Sequence, residues 1–276
     1  MPTLISPLSP PSTMTGFSLF RATARPVAAF LAAAATALGA WMPAHATEPE
    51  VQVFVSGAAR VTLLELYTSE GCSSCPPADR WLGQLRADPR LWRELVPIAF
   101  HVDYWDYIGW PDRFATAEYG TRQQVYRAQG HLRTVYTPGL VVGGREWRGW
   151  FSNPTLELNA APAAGSLEVR ASGRTVVAEF NPGRPFDHAP ILNVALLGFD
   201  LHTPVKAGEN RGRKLEHQFV VLGYARVPMD AGASGTLSAA TELPAPSAES
   251  PRLALAAWVE QANDQTPLQA VGGWLD

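Results

Sequence analysis

The chain has only two cysteines in 276 residues. A framework of several disulfides is therefore excluded, and neither thiol has a partner besides the other. A four-thiolate zinc site is excluded because the chain has a single Cys-x-x-Cys. Attachment of c-type haem fails because Pro76, not His, follows Cys75. Cationic excess is also missing. Lys and Arg number 22 against 25 Asp and Glu, a formal charge of −3, so nothing electrostatic favours nucleic acid or anionic lipid. After residue 50 no apolar stretch is long enough to span a bilayer.

The first 46 residues read as a bacterial secretory signal. Arg21 and Arg25 form a basic n-region, Val27 to Leu38 is an Ala-rich apolar run, and Ala44-His45-Ala46 is an A-x-A cleavage signal. The competing reading is a retained anchor, but the run is short for a hydrocarbon core about 30 Å thick. The stretch before Met14 has no basic residue, so Met14 is an alternative start. Cleavage makes the product more acidic by the two arginines. It places the product in the periplasm or outside the cell, with no membrane contact afterwards. That compartment is oxidising, and a cysteine pair there can be a disulfide.

The remaining length exceeds the usual domain, and two domains are expected. Residues 47–158 alternate strand-like and helix-like runs. Val61–Tyr67 and Val96–Val102 read as buried strands. Ala78, Trp81, Leu82 and Leu85 fall on one helix face. Pro111 to Gln129 reads as a second helix, with Phe114, Ala117, Thr121, Val125 and Ala128 as its apolar stripe. Leu140 to Trp147 reads as a hairpin around Gly143-Gly144. This is an α/β pattern. Residues 159–165, rich in Ala and Pro, are the expected linker. In 166–276 the strand-like runs 166–170, 175–180, 191–199, 219–227, 253–259 and 268–271 predict a small all-β, sandwich-like domain.

Cys72 and Cys75 stand between the first buried strand and the first helix. With Cys72 at the helix N-cap, its sulfur faces free N–H groups and the positive end of the helix dipole. Both favour a thiolate over an ordinary thiol, whose pKa is about 8.5. Cys72 is then the exposed nucleophile and Cys75 the resolver of a Cys72–Cys75 redox disulfide. A structural staple and a metal site are the alternatives. A four-residue loop stabilises by only about 2 kcal/mol, and a metal would need two further ligands, from residues such as His101 or His131. Pro76 and Pro77 are expected to loosen or kink the start of the helix.

Strand, Cys-x-x-Cys, helix, strand, helix, and Thr137-Pro138 before a hairpin strand resemble the thioredoxin superfamily. The stretches Tyr67–Pro77, His101–Asp106, Gly109-Trp110, Tyr136–Pro138 and Gly208–Gly212 are similar to an uncharacterised family of predicted secreted bacterial proteins with a thioredoxin-like domain. The resemblance implies an α/β thioredoxin-like fold for 47–158. It also implies a cis Pro138 facing the disulfide, and Thr137 pairing with a substrate strand. Glu65, on the strand before Cys72, matches an acid that shuttles protons to the inner cysteine. An edge position or pairing with an arginine is the alternative for Glu65.

His101 to Asp106 ends the second strand, where sites gather in open sheets. Asp103 and Asp106 can cap the following segment. Tyr104, Trp105 and Trp110 can line a groove for a peptide or an unfolded partner, the alternative being a structural loop. His131 and Arg122 are read as surface or loop residues, and Gly208–Gly212 as a plain hairpin loop, its reach to the redox domain being the alternative. The expected function is periplasmic thiol–disulfide exchange with protein thiols or disulfides. It needs no bound cofactor or metal, only an unidentified redox partner for recycling. The alternative is a non-catalytic scaffold that binds a client or Cu(I).

Overall fold

Strand-like runs organise this chain: some alternate with period two, as in Gly165–Ser172 and Thr175–Pro182, and others, as in Leu95–His101, are buried throughout. The computed structural model describes residues 50–152, 155–158, 163–232 and 235–276. The expected signal, and residues 159–162 of the expected linker, lie outside the described residues. The first elements are β1 (Val51–Val55), β2 (Thr62–Thr68), α1 (Pro76–Gln84), β3 (Leu95–His101), α2 (Ala117–Ala128), β4 (Gly139–Val142) and β5 (Arg145–Glu146). Strands follow: β6 (Gly165–Ser172), β7 (Thr175–Pro182), β8 (Pro190–Phe199), β9 (Leu201–Pro204) and β10 (Lys214–His217). The last are β11 (Val220–Pro228), β12 (Asp230–Ala231), β13 (Leu237–Glu242), β14 (Arg252–Gln261) and β15 (Asp264–Trp274).

One eight-stranded sheet has the order β15-β14-β8-β11-β3-β2-β4-β5. β2 and β3 run parallel from Thr62↔Leu95 to Thr68↔His101. β4 lies antiparallel on the other side of β2. The free edge of β3 receives β11 in parallel, with Val220 opposite Ala99, and the Ala99 N–H donates to the Phe219 carbonyl at 2.8 Å. A five-stranded sheet, β1-β6-β7-β13-β12, makes a second layer, and β9 and β10 form a separate ribbon.

This corrects the expected fold class. Among the described residues the chain is mostly β, with fifteen strands and two α-helices, and is not an α/β thioredoxin-like domain joined to a sandwich. Strands from both expected domains share one sheet, so the boundary near 159–165 separates no independent core. The described residues form one compact unit. Strand β14 shows why its sequence reads as an unbroken apolar run. Ala254, Ala256 and Trp258 pack into the core shared with α1 and α2. Leu255, Ala257 and Val259 face the core under the five-stranded sheet. A strand covered on both faces has no polar side to alternate.

The helices also depart from expectation. α1 begins at Pro76, with Cys75 as its N-cap. Pro76 and Pro77 therefore sit in the first turn, where a missing N–H costs nothing, and the Ala78 and Asp79 N–H groups close on the Cys75 carbonyl at 2.9 and 3.1 Å. No loosening follows from these prolines. α2 begins six residues later than Pro111. Asp112 instead turns the preceding loop by accepting from the Phe114 N–H at 3.0 Å. The buried residues of α2 are Tyr119, Gly120, Arg122, Gln123 and Tyr126, none of them in the predicted stripe; of that stripe Phe114 is buried, but ahead of the helix.

Candidate functional site

The loop after β2 carries the cysteines, and the loop after β3 lies beside it because the two strands are parallel neighbours. Cys72 and Cys75 form a disulfide. Cys75, not Cys72, is the helix N-cap. Neither cysteine exposes any surface, which corrects the expectation of an exposed Cys72. Ser73 and Ser74 between them are exposed, and the Ser74 hydroxyl lies 3.3 Å from the Cys72 sulfur. A Cβ on Gly71 would stand 3.0 Å from the Trp105 Cβ and 3.3 Å from Ile108, so only glycine lets the two loops touch this closely.

A third loop closes over the pair from the distant half of the chain. It joins β9 to β10 and contains Gly208–Gly212, which corrects the reading of that stretch as a plain hairpin loop. Asn210 is fully buried. Its Nδ2 donates to the carbonyls of Glu70 at 2.8 Å and Cys72 at 2.9 Å. Glu209 accepts from the Ser73 N–H at 3.0 Å; this exposed carboxyl is held below its usual value by the Ser73 side chain and backbone.

Beneath the cysteine loop lies a buried polar cluster. Glu70, Asp79, His101, Asp112 and His217 each expose 7% or less. His101 Nδ1 and Asp112 Oδ2 are 2.6 Å apart, and the same carboxylate oxygen accepts from the Glu70 N–H at 2.9 Å. Trp110 Nε1 donates to Glu70 at 2.8 Å. His217 stands between two acids, its Nε2 3.3 Å from Glu70 and its Nδ1 4.0 Å from Asp79. The two imidazoles meet edge to face, 4.9 Å between centroids. Among the described residues, Glu70 Oε1, His101 Nε2, both ring nitrogens of His217, and the hydroxyls of Thr68 and Thr203 make no hydrogen bond of good geometry, and Glu70 Oε1 and the His217 ring meet only as an ion pair. Buried polar atoms without partners are costly, and a cluster of them marks a site rather than a scaffold.

The electrostatics of this cluster are uneven. Burial pushes Glu70 up, but His217, Thr203 and Trp110 more than offset it and its carboxyl lies low. Burial likewise opposes Asp112, yet His101 and two backbone N–H groups hold it low. Burial pulls His101 down, and the Asp112 carboxylate reverses this and raises it to about 8. Asp79 is raised, because burial there outweighs the two histidines and Thr68. Asp79 also lines a cleft of about 510 Å³ between α1 and β10, together with Pro76, Arg80 and Lys214.

The other predicted site residues fall into two groups. Thr137 and Pro138 are joined by a cis peptide bond. Thr137 accepts from Trp105 Nε1 at 2.7 Å, which ties the proline loop to the aromatic loop beside the cysteines. Tyr104 donates to Gln123 at 3.0 Å. Tyr104, Trp105 and Trp110 are each half-buried; Tyr104 and Trp105 brace the loop through these contacts, whereas Trp110 also borders an open cleft of about 290 Å³ with Pro111, Arg113 and His202. Glu65 is elsewhere in function. It is fully buried and accepts from Arg122 at 2.8 and 3.2 Å, Tyr67 at 2.9 Å and Tyr126 at 2.5 Å. Four donors occupy this carboxylate, so it is a structural acid and not a proton shuttle. Arg122 also bonds Glu260 at 3.1 Å, correcting its reading as a surface residue. His131 pairs with Asp264 at 3.1 Å.

Asp79 and His217 are not singled out by the sequence, and Glu70, Asp112 and Asn210 carry no site role there, although Asn210 lies in the Gly208–Gly212 loop whose reach to the redox domain is the alternative reading. Glu70 and Asp79 flank the cysteine motif by two and four residues, a signal available in the sequence. Asn210 and His217 join only through folding. Among the described residues no group of three or more His, Cys, Asp or Glu side chains is arranged to hold a metal ion. Nor is any helix there long and apolar enough to cross a membrane.

A family model described as a protein of unknown function, DUF1223, matches residues 63–260. Among solved structures, the chain is similar to a protein from Agrobacterium tumefaciens, with 26% identity and a TM-score of 0.52, over 78% of this chain and 94% of that one. It is also similar to HBP35 of Porphyromonas gingivalis, with 15% identity and a TM-score of 0.56, over 80% and 77%; this second likeness shows the fold alone. No curated protein matches the chain.

Proposed function

This chain belongs to the DUF1223 family, and we propose that it is a thiol–disulfide oxidoreductase with Cys72–Cys75 as its redox centre. It acts on protein or peptide thiols or disulfides after export to the periplasm or beyond, and an unidentified redox partner recycles it. The observation that carries the reading is where the disulfide sits. It lies at the carboxyl ends of two parallel strands and the first turn of a helix, the place where open sheets build sites. Its loop is too short to stabilise the fold by more than about 2 kcal/mol. The kinship with the thioredoxin superfamily is proposed for this local unit alone: strand, Cys-x-x-Cys, helix, and Thr137-Pro138 before β4.

A second reading is favoured by one observation. The cysteines have no exposed surface and are clasped by Asn210, as a structural staple would be. The two readings separate cleanly. Under the redox reading the reduced protein exchanges with glutathione disulfide, and Cys75→Ser accumulates mixed disulfides through Cys72 while Cys72→Ser does not. A protein inert to glutathione whose variants capture nothing is a stapled scaffold.

A further inference from the structure

The β9–β10 ribbon has two outer edges, and only one of them is closed. β9 pairs with β10 from Leu201↔His217 to Pro204↔Lys214, and neither strand joins another sheet. The Val205 N–H donates to the Arg213 carbonyl at 2.9 Å. Bonded and non-bonded pairs alternate along an antiparallel ladder. His202, Pro204, Lys214 and Glu216 therefore turn their backbone groups outward. The β9 edge is blocked: Pro204 has no N–H to offer, and the His202 carbonyl accepts from Arg113 at 3.1 Å. Proline and charge are ordinary protections of an edge strand. The β10 edge has no such block. Among the described residues, no hydrogen bond beyond the β9 ladder reaches the backbone of Lys214 or Glu216.

The unblocked strand also walls the largest cleft described above. Lys214, Leu215 and Glu216 stand on one side of its 510 Å³, and Pro76, Arg80 and Gly83 of α1 on the other. That volume lies in the range of ligand sites. A Cβ on Gly83 would stand 3.2 Å from Gln218 Cγ, so glycine keeps this wall bare. The charges of the cleft are unequally matched. Arg86 is paired with Asp200, Glu216 accepts from Gln218 at 3.0 Å, and Asp79 is buried against His217. Arg80 and Lys214 are exposed, and neither has an ion-pair partner among the described residues.

We propose that the α1–β10 cleft binds an extended segment of a polypeptide client, which adds as a third strand to the free edge of β10 and sets an acidic side chain against Arg80 and Lys214. Main-chain bonds to Lys214 and Glu216 supply affinity, and the two cations supply the preference. Glu216 and Asp79 limit that preference to a single carboxylate. A small carboxylate alone would use the cations and leave the strand edge idle. The binding goes beyond the redox reading and needs no turnover at Cys72–Cys75. Pro76 follows Cys75 in the chain and lines the cleft, so a seated segment lies along the helix that begins at the disulfide.

The test takes the oxidised full chain and a fluorescein-labelled peptide, Thr-Val-Glu-Val-Thr-Val amide, followed by fluorescence polarisation. Binding is expected, and the Lys214 and Glu216 amides then exchange with deuterium at least about tenfold more slowly, as amides newly bonded in a ladder do. Methylating one alternate set of the peptide's backbone nitrogens abolishes binding, and methylating the other set does not. Replacing the peptide's glutamate by lysine weakens binding at least about tenfold, because like charges then meet. Arg80→Glu combined with Lys214→Glu does the same to the glutamate peptide and restores the lysine peptide. No binding at millimolar peptide, or binding indifferent to both methylated sets, overturns the strand addition. Free glutamate competing as well as the peptide marks an anion site and overturns it too. Equal affinity for the two peptides overturns the role of the cations. If the double variant does not fold, the methylated and lysine peptides decide the matter on the wild type. None of these outcomes depends on exchange with glutathione, so the redox reading stands or falls separately.

Discussion

Asn210 holds the backbone carbonyl of Cys72, 2.9 Å from its Nδ2, although 138 residues separate the two in sequence. The same nitrogen reaches the Glu70 carbonyl. Replacing Asn210 by Ala strips the Glu70 carbonyl of its donor, while the Cys72 carbonyl keeps only the Cys75 N–H at 3.2 Å. The expected loss is about 1–3 kcal/mol in urea unfolding, with faster reduction of the disulfide by dithiothreitol. Asn210→Asp replaces the donor with a carboxylate facing two carbonyls, and is expected to cost more. Reduction no faster in Asn210→Ala than in wild type would show that the clasp does not limit access to the sulfurs.

The shared eight-stranded sheet makes a second expectation. A fragment of residues 47–158 loses β11 from the edge of β3 and exposes the core that Phe219, Ala256 and Trp258 help fill. It should not fold alone, giving a poorly dispersed amide spectrum. The chain from Thr47 to Asp276 should unfold in a single transition, coincident by fluorescence and far-ultraviolet dichroism. A cooperatively folded fragment would restore the two-domain division.

Much of this architecture was legible locally, and the assembly was not. The sequence marks β2, β3, the β4–β5 hairpin and most of the later strands, because apolar runs and Gly turns report local backbone preference. It also marks Cys72, Cys75 and Thr137-Pro138, which are close in sequence to the elements that place them. It does not report that β11 crosses to β3, since one pairing at Val220 leaves no periodic signal. Arg122 looks like a surface residue because burying it needs Glu65 and Glu260, 57 and 138 residues away. The buried face of α2 is polar for the same reason: Gln123 spends its amide on the Tyr136 carbonyl and the Tyr104 hydroxyl.

Arg122 supports the next expectation. It is buried between Glu65 and Glu260 and stacks within 5.1 Å of the Trp258 ring centroid. Removing it by Arg122→Ala leaves two buried carboxylates, Glu65 with no cation and only its two tyrosine donors, Glu260 with Arg226 and the Trp258 Nε1 donor. Breaking a buried pair this way costs about 3–5 kcal/mol. Arg122→Lys keeps the charge but not the planar fork, and should fall between. Chemical denaturation midpoints at constant slope measure both. A loss below about 1 kcal/mol would place Arg122 among weak surface pairs.

The His101–Asp112 pair predicts how stability follows pH. His101 is raised to about 8 in the folded state, the Asp112 carboxylate overcoming the opposing effect of burial, against about 6.5 unfolded. Its contribution is therefore complete below about pH 6.5 and lost as pH rises through about 8, on the order of 2 kcal/mol in all. Asp112 and Glu70 lie low, so their contributions are present above the unfolded carboxyl range of about 4 and lost as pH falls through their folded values. Asp79, raised by burial, acts oppositely, and its contribution fades as pH rises through its folded value. Urea midpoints should fall between about pH 6.5 and 8 in the wild type, and that fall should vanish in His101→Gln. A midpoint flat across this window would mean that His101 is not charged in the folded protein, and that Asp112 is held low by its backbone donors at Glu70 and Phe114 alone.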